Sequence, residues 1–357
     1  MADSGFDIGM IGLGVMGRNL VLNMADHAIS VVGYDEDSDK VESLVDEADG
    51  DPQVRGASAL GEFMDALGSP KTVMMLVPAG DPVDDVIREV KPHLWAGDIL
   101  IDGGNSHFSD TQLRHDHLAN HDIAYFGVGI SGGEAGARHG PSIMPGGPER
   151  AYGWIEPILR AVAARVDGEP CVAYLGPGAA GHYVKMVHNG IEYSLMQLIA
   201  ESYDFMKRAL GLNDDELHSV FKRWNSTELQ SYLIEITADI FSKPDPQSDE
   251  GRLIDVILDV AKQKGTGMWA SQDAMELHAP VPTIDTAVEM RDISLFEDLR
   301  KEANDVLEGV RDRYDGDVEA MIGQLQRAMY ATMIISYSEG FWLLDCASRE
   351  YDYGLDL

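Results

Sequence analysis

Lys185, His188, Asn189 and Glu192 stand at i, i+3, i+4 and i+7 within the stretch that opens Gly178-Ala179-Ala180-Gly181-His182. At about 100° per residue this spacing puts all four on one face of a helix, with Val184, Val187 and Ile191 on the other. An amine, an imidazole, an amide and a carboxyl on one face can bind a polar substrate and move protons. The same residues also make a satisfied polar cluster if Lys185 pairs with Glu192 across two turns. The apolar pattern runs on through Met196, Leu198, Ile199 and Phe205, so the face belongs to a long helix, from Ala179 to Leu210, that can serve as the backbone of a domain.

Upstream, a short apolar strand, Phe6 to Ile11, runs into Gly12-Leu13-Gly14-Val15-Met16-Gly17 and then a helix, Arg18 to Asp26. A second strand, Ser30 to Tyr34, ends at Asp35. This is a dinucleotide-binding fingerprint in its strand–turn–helix context. Gly12 permits the tight turn, Gly14 lets a pyrophosphate approach the backbone, and Gly17 lets helix and strand pack closely. The helix N-terminus offers N–H donors to the phosphates. Asp35 can accept from a ribose 2′-hydroxyl and repels a 2′-phosphate; Glu36 and Asp37 follow, with no Arg there. NAD is therefore expected over NADP, unless Asp35 or Asp37 merely caps the helix Lys40 to Glu47.

Strands and helices keep alternating. Thr72 to Val77 leads into Pro78-Ala79-Gly80 and a helix from Asp81 to His93. Asp98 to Ile101 leads into Asp102-Gly103-Gly104-Asn105-Ser106 and a helix from Ser109 to His121. Ile123 to Gly127 leads towards Ser131-Gly132-Gly133-Glu134. Alternation of this kind makes a doubly wound, Rossmann-like parallel sheet with ligand loops at the C-terminal strand ends. Val77, Pro78, Ala79 and Asn105 join Gly12 to Gly17 (Leu13, Val15 and Met16 included) and Asp35 as candidate cofactor contacts. Asn105 and Ser131 are placed to face nicotinamide and substrate. Ser142 to Gly146 and Pro170 to Leu175 read as further strands around a helix from Arg150 to Ala164.

After Gly178 the strand signals stop. An α/β domain over 1–178 is expected, then an all-α domain over 179–357 hung on its long first helix. The later helices are expected at Asn213–Asn225, Tyr232–Ser242, Arg252–Ala261, Met268–Leu277, Pro282–Asp298, Leu299–Tyr314 and Asp317–Ala347. Two bases stand out. Lys264 lies in the turn Gln263-Lys264-Gly265-Thr266-Gly267, whose amides, hydroxyl and ammonium suit an anion. Arg291 could join it, or could pair at the surface with Glu289 or Asp292.

Acids outnumber bases 61 to 27, a formal charge of −34 over 357 residues, which argues against nucleic-acid or anionic-membrane partners. A spread acidic excess also suits a high-salt cytoplasm. Cys171 and Cys346 show no metal or redox spacing, so a reducing cytoplasmic setting is the default. The N-terminus has no signal-type apolar core. Ala328 to Ala347 is apolar but broken by Ser336, Ser338, Glu339 and Gly340, and reads as a buried helix. His107, His115, His117 and His121 crowd one segment. His117 and His121 have helical metal spacing, yet no acid or Cys completes a site, and no metal is expected.

The segments Gly12 to Leu20, Asp102 to Ser106, Ser131-Gly132-Gly133, Gly140-Pro141-Ser142-Ile143-Met144-Pro145-Gly146-Gly147, Lys185 to Tyr193 and Gln263 to Gly267 closely resemble the 6-phosphogluconate dehydrogenase family. These are the decarboxylating enzymes of the pentose phosphate pathway. The segments occur in order and span nearly the whole chain. The resemblance implies a soluble homodimeric enzyme of gluconate use that converts 6-phosphogluconate to ribulose 5-phosphate and CO2. It implies substrate contacts from Asn105, Ser131, Gly132, Gly133, His188, Asn189, Tyr193, Lys264 and Arg291. Lys185 would be general base and acid, and Glu192 the later acid. Members that use NADP carry Asn-Arg-Thr where this chain has Asp35-Glu36-Asp37, which implies an NAD-type variant. Long members continue beyond the position of Leu357 with a tail that brings an Arg and a His to the partner's phosphate site. This sequence is then either a fragment or completes the pocket differently. Two other readings are another β-hydroxyacid dehydrogenase, such as one for 3-hydroxyisobutyrate, and a catalytically silent NAD-binding dimerisation module. The 3-hydroxyisobutyrate family usually has Asn-Asn where this chain has His188-Asn189, and lacks the Lys264 turn.

Overall fold

A computed structural model describes residues 5–248, 251–263, 265–307 and 313–357. The chain divides into two compact units: one runs to Met186 and takes in Ala347–Leu357, the other is Val187–Cys346.

The first unit is built on strands β1 (Ile8–Ile11), β2 (Val31–Tyr34), β3 (Val54–Gly56), β4 (Thr72–Met75), β5 (Ile99–Asp102), β6 (Ala124–Ser131) and β7 (Ser142–Gly146). Between them run α1 (Val15–Asp26), α2 (Ser38–Glu47), α3 (Leu60–Ala66), α4 (Asp81–Val90), α5 (Phe108–Ala119) and α6 (Gly133–His139), with α7 (Glu149–Val162) after β7. The sheet order is β3-β2-β1-β4-β5-β6-β7. β1 lies between β2 and β4, so the strand order reverses there and a crevice opens at the C-terminal strand ends. The strands read as near-continuous apolar runs because both faces are covered. Ile8, Met10, Val31, Met74, Ile99 and Ile101 pack on one face, against α1 and α7. Ile11, Val32, Val73, Met75 and Leu100 alternate onto the other, against α3, α4 and α5.

The sequence pattern led to a wholly parallel sheet, but β7 pairs antiparallel with β6, Ile130 opposite Ile143. The connection is only α6 and its flanks, shorter than a parallel crossover needs. β3, α3 and α6 were not foreseen; each is too short to show a clear period. Pro170 to Leu175 is not one strand. Glu169–Pro170 (β9) closes a two-stranded ribbon with Arg165–Val166 (β8), and Val172 makes a single bridge to Ile143.

Helix α8 (Ala180–Phe205) begins in the first unit and runs through the second, ending in a π-turn, Met206–Leu210, closed by Gly211 at φ 75°. Its first turns lie in a groove of glycines. A Cβ on Gly181 would overlap the Gly127 and Met144 carbonyl oxygens and stand 2.5 Å from the Gly146 amide nitrogen. A Cβ on Gly129 would overlap the Lys185 side chain. Tyr183 packs in this unit against Phe108, Tyr351 and Tyr353, which holds the last residues onto α5 and α8.

The second unit adds α9 (Asp214–Trp224), α10 (Tyr232–Ser242), α11 (Thr266–Glu276), α12 (Pro282–Ser294), α13 (Glu297–Val306) and α14 (Val318–Glu350). α9 starts with a capping box made by Asn213 and Glu216. Leu217, Phe221 and Trp224 of α9 pack with Ile234 and Phe241 of α10 and with Ile322 and Met329 of α14. A buried polar knot ties α8, α12 and α14. Glu339 Oε2 accepts from the Thr283 amide at 3.0 Å and hydroxyl at 2.7 Å, and Ser336 and Ser194 hydroxyls bond Thr283 at 3.0 and 3.3 Å. The expected helix Arg252–Ala261 is only a single 3-10 turn, Leu253–Asp255. β-branched Ile254, Val256 and Ile257 disfavour a helix there, and Val256, Ile257 and Leu258 find no core to bury in. Ion pairs hold the segment instead: Asp255 to Lys207 at 2.5 Å, and Arg252 to Asp215. Of the expected helix Leu299–Tyr314, the stretch 308–312 lies outside the described residues. Among the described residues no helix is long and apolar enough to cross a membrane.

The Gly181 groove is backbone on all sides and cannot yield. Gly181→Ala is expected to lower stability by about 1–3 kcal/mol, as overpacking does. Urea denaturation checks this, and an unchanged midpoint would show that α8 is not seated by that contact.

Candidate active site

The nucleotide crevice is built by glycines at the end of β1. Gly12 has φ 92°, which favours glycine, and a Cβ there would stand 2.5 Å from the Leu76 carbonyl oxygen. A Cβ on Gly17 would overlap the Gly12 carbonyl oxygen, so α1 comes down directly on the turn. Gly14 has open space around it and is the N-cap of α1, leaving amides exposed for an anion. A cavity of about 520 Å³ opens here, within the range of small-molecule sites. Its walls include Gly12, Gly14, Tyr34, Asp35, Val77 and Pro78.

Asp35 is tied to the turn it faces. Its Oδ2 accepts from the Leu13 amide at 2.8 Å, its Oδ1 from the Asp37 amide at 3.0 Å, and Lys40 Nζ lies 3.2 Å away. Burial opposes its ionisation, but the two amides and the Lys40 ammonium outweigh burial and hold the carboxyl below its ordinary range. Asp37, in turn, caps α2 through the Asp39 amide. Glu36, Asp85 and Glu89 also line the cavity, and among the described residues Lys40 is the base that lines it.

The turn after β4 lines this crevice through Val77 and Pro78, and the turn after β5 lies beside it, Gly104 close to the Val77 carbonyl. Val77, Pro78 and Ala79 follow β4, and Asn105 stands exposed on the turn after β5. That turn is organised by Asp102, which is fully buried. It accepts from the Gly104 amide at 3.0 Å, the Ser106 hydroxyl at 2.6 Å and the Tyr125 hydroxyl at 3.1 Å. Burial and the Asp102 charge push the Tyr125 phenol well above its ordinary value. Ser131 ends β6; Gly132 and Gly133 follow at φ 130° and 59° and start α6.

Lys185 is 7% exposed and lies against Gly129, two residues before the end of β6. One turn earlier, fully buried His182 shares a 2.7 Å hydrogen bond with the Thr111 hydroxyl. Burial lowers its pKa below the ordinary histidine value, so the ring is neutral at pH 7.

In the second unit, α8 carries His188, Asn189, Glu192 and Tyr193. His188 Nδ1 is 3.2 Å from Asn189 Oδ1 and 3.9 Å from Glu192 Oε2. Asn189 Nδ2 donates to Thr266 Oγ1 at 2.9 Å, at the first residue of α11. Arg291 is not in the surface pair considered from sequence. Its guanidinium lies 3.9 Å from the Tyr193 ring centroid and donates to the Lys262 carbonyl at 3.0 Å. Tyr193 also packs on Gly267, where a Cβ would stand 2.5 Å from the ring. This unit therefore gathers His188, Asn189, Glu192, Tyr193 and Arg291 around the start of α11. Lys264 lies outside the described residues.

His117 and His121 have a different partner from a metal: Lys91 Nζ is 2.9 Å from Nε2 of each. Among the described residues no group of three or more His, Cys, Asp or Glu could hold a metal ion. Sequence reasoning gave no role to Asp102, Arg114 or His182. Arg114 offered one signal, a base in an apolar–polar helix of an acid-rich chain.

Two family models match the chain: the NAD binding domain of 6-phosphogluconate dehydrogenase over residues 7–176, and the 6-phosphogluconate dehydrogenase C-terminal domain over residues 181–357. The NADP(+)-dependent, decarboxylating 6-phosphogluconate dehydrogenase of Bacillus subtilis is 49% identical over 98% of this chain and 74% of its own length. The solved Plasmodium falciparum 6-phosphogluconate dehydrogenase, studied apo, with NADP+ and with 6-phosphogluconate, superposes at a TM-score of 0.93 with 41% identity, covering 98% of this chain and 75% of that one. A Salmonella typhimurium 3-hydroxyisobutyrate dehydrogenase superposes at 0.58 with 19% identity over 89% of this chain and 99% of that one, a likeness of fold alone.

The depressed Asp35 pKa fixes the sign of a pH effect. Its contribution is full above the ordinary carboxylate pKa of about 4 and is lost as pH falls through the lower folded value. The stability gap between the parent and Asp35→Asn should be full at neutral pH and close in acid, as followed by urea titration. A gap of equal size across that range would show that the ionised carboxylate plays no such part.

Proposed function

The chain belongs to the 6-phosphogluconate dehydrogenase family, and we propose that it oxidatively decarboxylates 6-phosphogluconate to ribulose 5-phosphate and CO2. It is an oxidoreductase of the nicotinamide-dinucleotide type. The observation that carries the reading is the buried amine of Lys185, seated on Gly129 at the end of β6, in the same helix as His188, Asn189 and Glu192. Lysine is one of the side chains that serve as general base in proton transfer.

A bound nicotinamide would supply the acceptor for the hydride leaving C3. Lys185 takes the proton of the C3 hydroxyl as C3 is oxidised, then as an ammonium hydrogen-bonds the new keto oxygen. That polarisation drains electron density from the carboxylate-bearing carbon, so CO2 leaves without a metal. Glu192 then delivers a proton to C1 of the enediol. Asn105, Ser131, Gly132 and Gly133 orient the sugar acid from their turns, with His188 and Asn189. Thr266 restrains the Asn189 amide. Tyr193, Arg291 and Lys264 take the phosphate; the Arg291 guanidinium stacks on Tyr193, an orientation that suits an anion.

For the cofactor, the geometry around Asp35 favours NAD. Two carboxylates, Asp35 and Glu36, line the crevice and would repel a 2′-phosphate, and Lys40 is engaged with Asp35. The Bacillus subtilis and Plasmodium proteins named above are described with NADP, so this preference is a property proposed for this chain alone. A cytoplasmic homodimer fits the reading. Tyr330, Ile334, Tyr337 and Phe341 repeat along one side of α14, each about half exposed, and offer an apolar face for self-association.

Turnover is read from the ultraviolet absorbance of reduced nicotinamide and from CO2 release, with 6-phosphogluconate set against 3-hydroxyisobutyrate. Lys185→Met should abolish oxidation of 6-phosphogluconate while leaving dinucleotide binding intact; substantial residual turnover would remove Lys185 as the base. The double change Asp35→Asn with Glu36→Arg should move preference towards NADP by at least about tenfold in kcat/KM, the scale of one charged contact. An unchanged cofactor ratio would show that the end of β2 does not decide the choice.

A further inference from the structure

Arg114 is a buried base whose partners come from three places: the first turn of α4, the turn before it and the turn after β5. It projects from α5 and is 7% exposed. Its Nε and Nη2 hold Asp84 by both carboxylate oxygens at 2.8 and 2.9 Å. Nη2 also donates to the Gly80 carbonyl at 3.1 Å. Nη1 reaches the Ser106 hydroxyl at 3.3 Å and lies 3.9 Å from Asp102 Oδ2. One planar group therefore spans the turn after β4 and the turn after β5. The same turns carry Val77, Pro78 and Ala79 on one side and Asn105 on the other. They also touch directly, since a Cβ on Gly104 would stand 3.1 Å from the Val77 carbonyl oxygen. Tyr34, Asp35 and Glu36 line the same cavity as Val77 and Pro78 but are not among these partners of the guanidinium.

We propose that Arg114 is a positioning residue that fixes the spacing of the Val77–Gly80 and Asp102–Ser106 turns, and so the seat of the nicotinamide half of the cofactor. The assignment of those turns to the nicotinamide rests on the function proposed above. Arginine is required because the role needs donors in a rigid plane aimed at separate acceptors. A lysine at this position keeps the charge as a single point and cannot reach Asp84, Gly80 and Ser106 together. Hydride transfer is sensitive to such spacing: a displacement of about 1 Å costs on the order of a hundredfold in rate.

The test compares the parent protein with Arg114→Lys and Arg114→Gln. Binding of ADP-ribose, which lacks the nicotinamide, is measured beside binding of the oxidised dinucleotide. Steady-state kinetics use 6-phosphogluconate with hydrogen or deuterium at C3. In both variants dinucleotide binding should weaken by about tenfold while ADP-ribose binding stays within about twofold. In Arg114→Lys, kcat should fall by roughly ten- to a hundredfold, with a larger deuterium effect as hydride transfer becomes limiting. Equal weakening of both ligands, or no change in either, overturns the proposal. So does a lower melting temperature with an unchanged affinity ratio, which would make Arg114 a structural residue only. If the parent turns over no 6-phosphogluconate, the functional reading fails, and the two binding measurements still decide the clamp.

Discussion

Helix α8 can begin where it does because the strands beneath it carry no side chains there. Gly127 and Gly129 of β6, Gly146 of β7 and Gly181 of the helix meet backbone to backbone. Close packing leaves no slack for a single methyl. The approach sets the height and rotation of the first helical turns, and hence where Lys185 and His182 stand. Within the second unit, Glu192 lies 3.9 Å from His188.

Each unit buries a carboxylate whose desolvation is offset by several hydrogen bonds. In the first unit Asp102 collects an amide and two hydroxyls, and the Arg114 guanidinium stands beside them. In the second, Glu339 collects the Thr283 amide and hydroxyl and joins three helices. The two knots hold different things. The first fixes turns at strand ends, where a ligand approaches. The second fixes helices relative to one another within their own unit.

Acidic excess shapes this chain locally as well as overall. With 27 bases against 61 acids, a base readily meets a carboxylate. Arg114, Arg252, Arg300 and Lys207 are each paired. Arg291 departs from the pattern: it stacks on Tyr193 and donates to a carbonyl and to Met196 sulfur. Lys91 is held by two imidazoles. A base kept from carboxylates in such a chain retains its capacity for an anion.

The features legible in the sequence are those with local causes. The Gly12–Gly17 turn shows because sterics at adjacent residues demand glycine, and the face of Lys185, His188, Asn189 and Glu192 shows because helical period is local. Long helices such as α8, α9 and α10 were legible for the same reason, and so was Asp35 at a strand end. The antiparallel β7 and the unwound stretch after Arg252 were not. One depends on how short a connection is in space, the other on whether a core lies nearby. Arg114 and Asp84 are 30 residues apart, and Asn189 and Thr266 are 77 apart. By itself the sequence determined the chemistry carried and the order of the elements. Only tertiary structure decided the bridge Arg114 makes between the turns after β4 and β5, the seat of Lys185 and the stacking of Arg291, because each depends on distant backbone brought within a few ångströms.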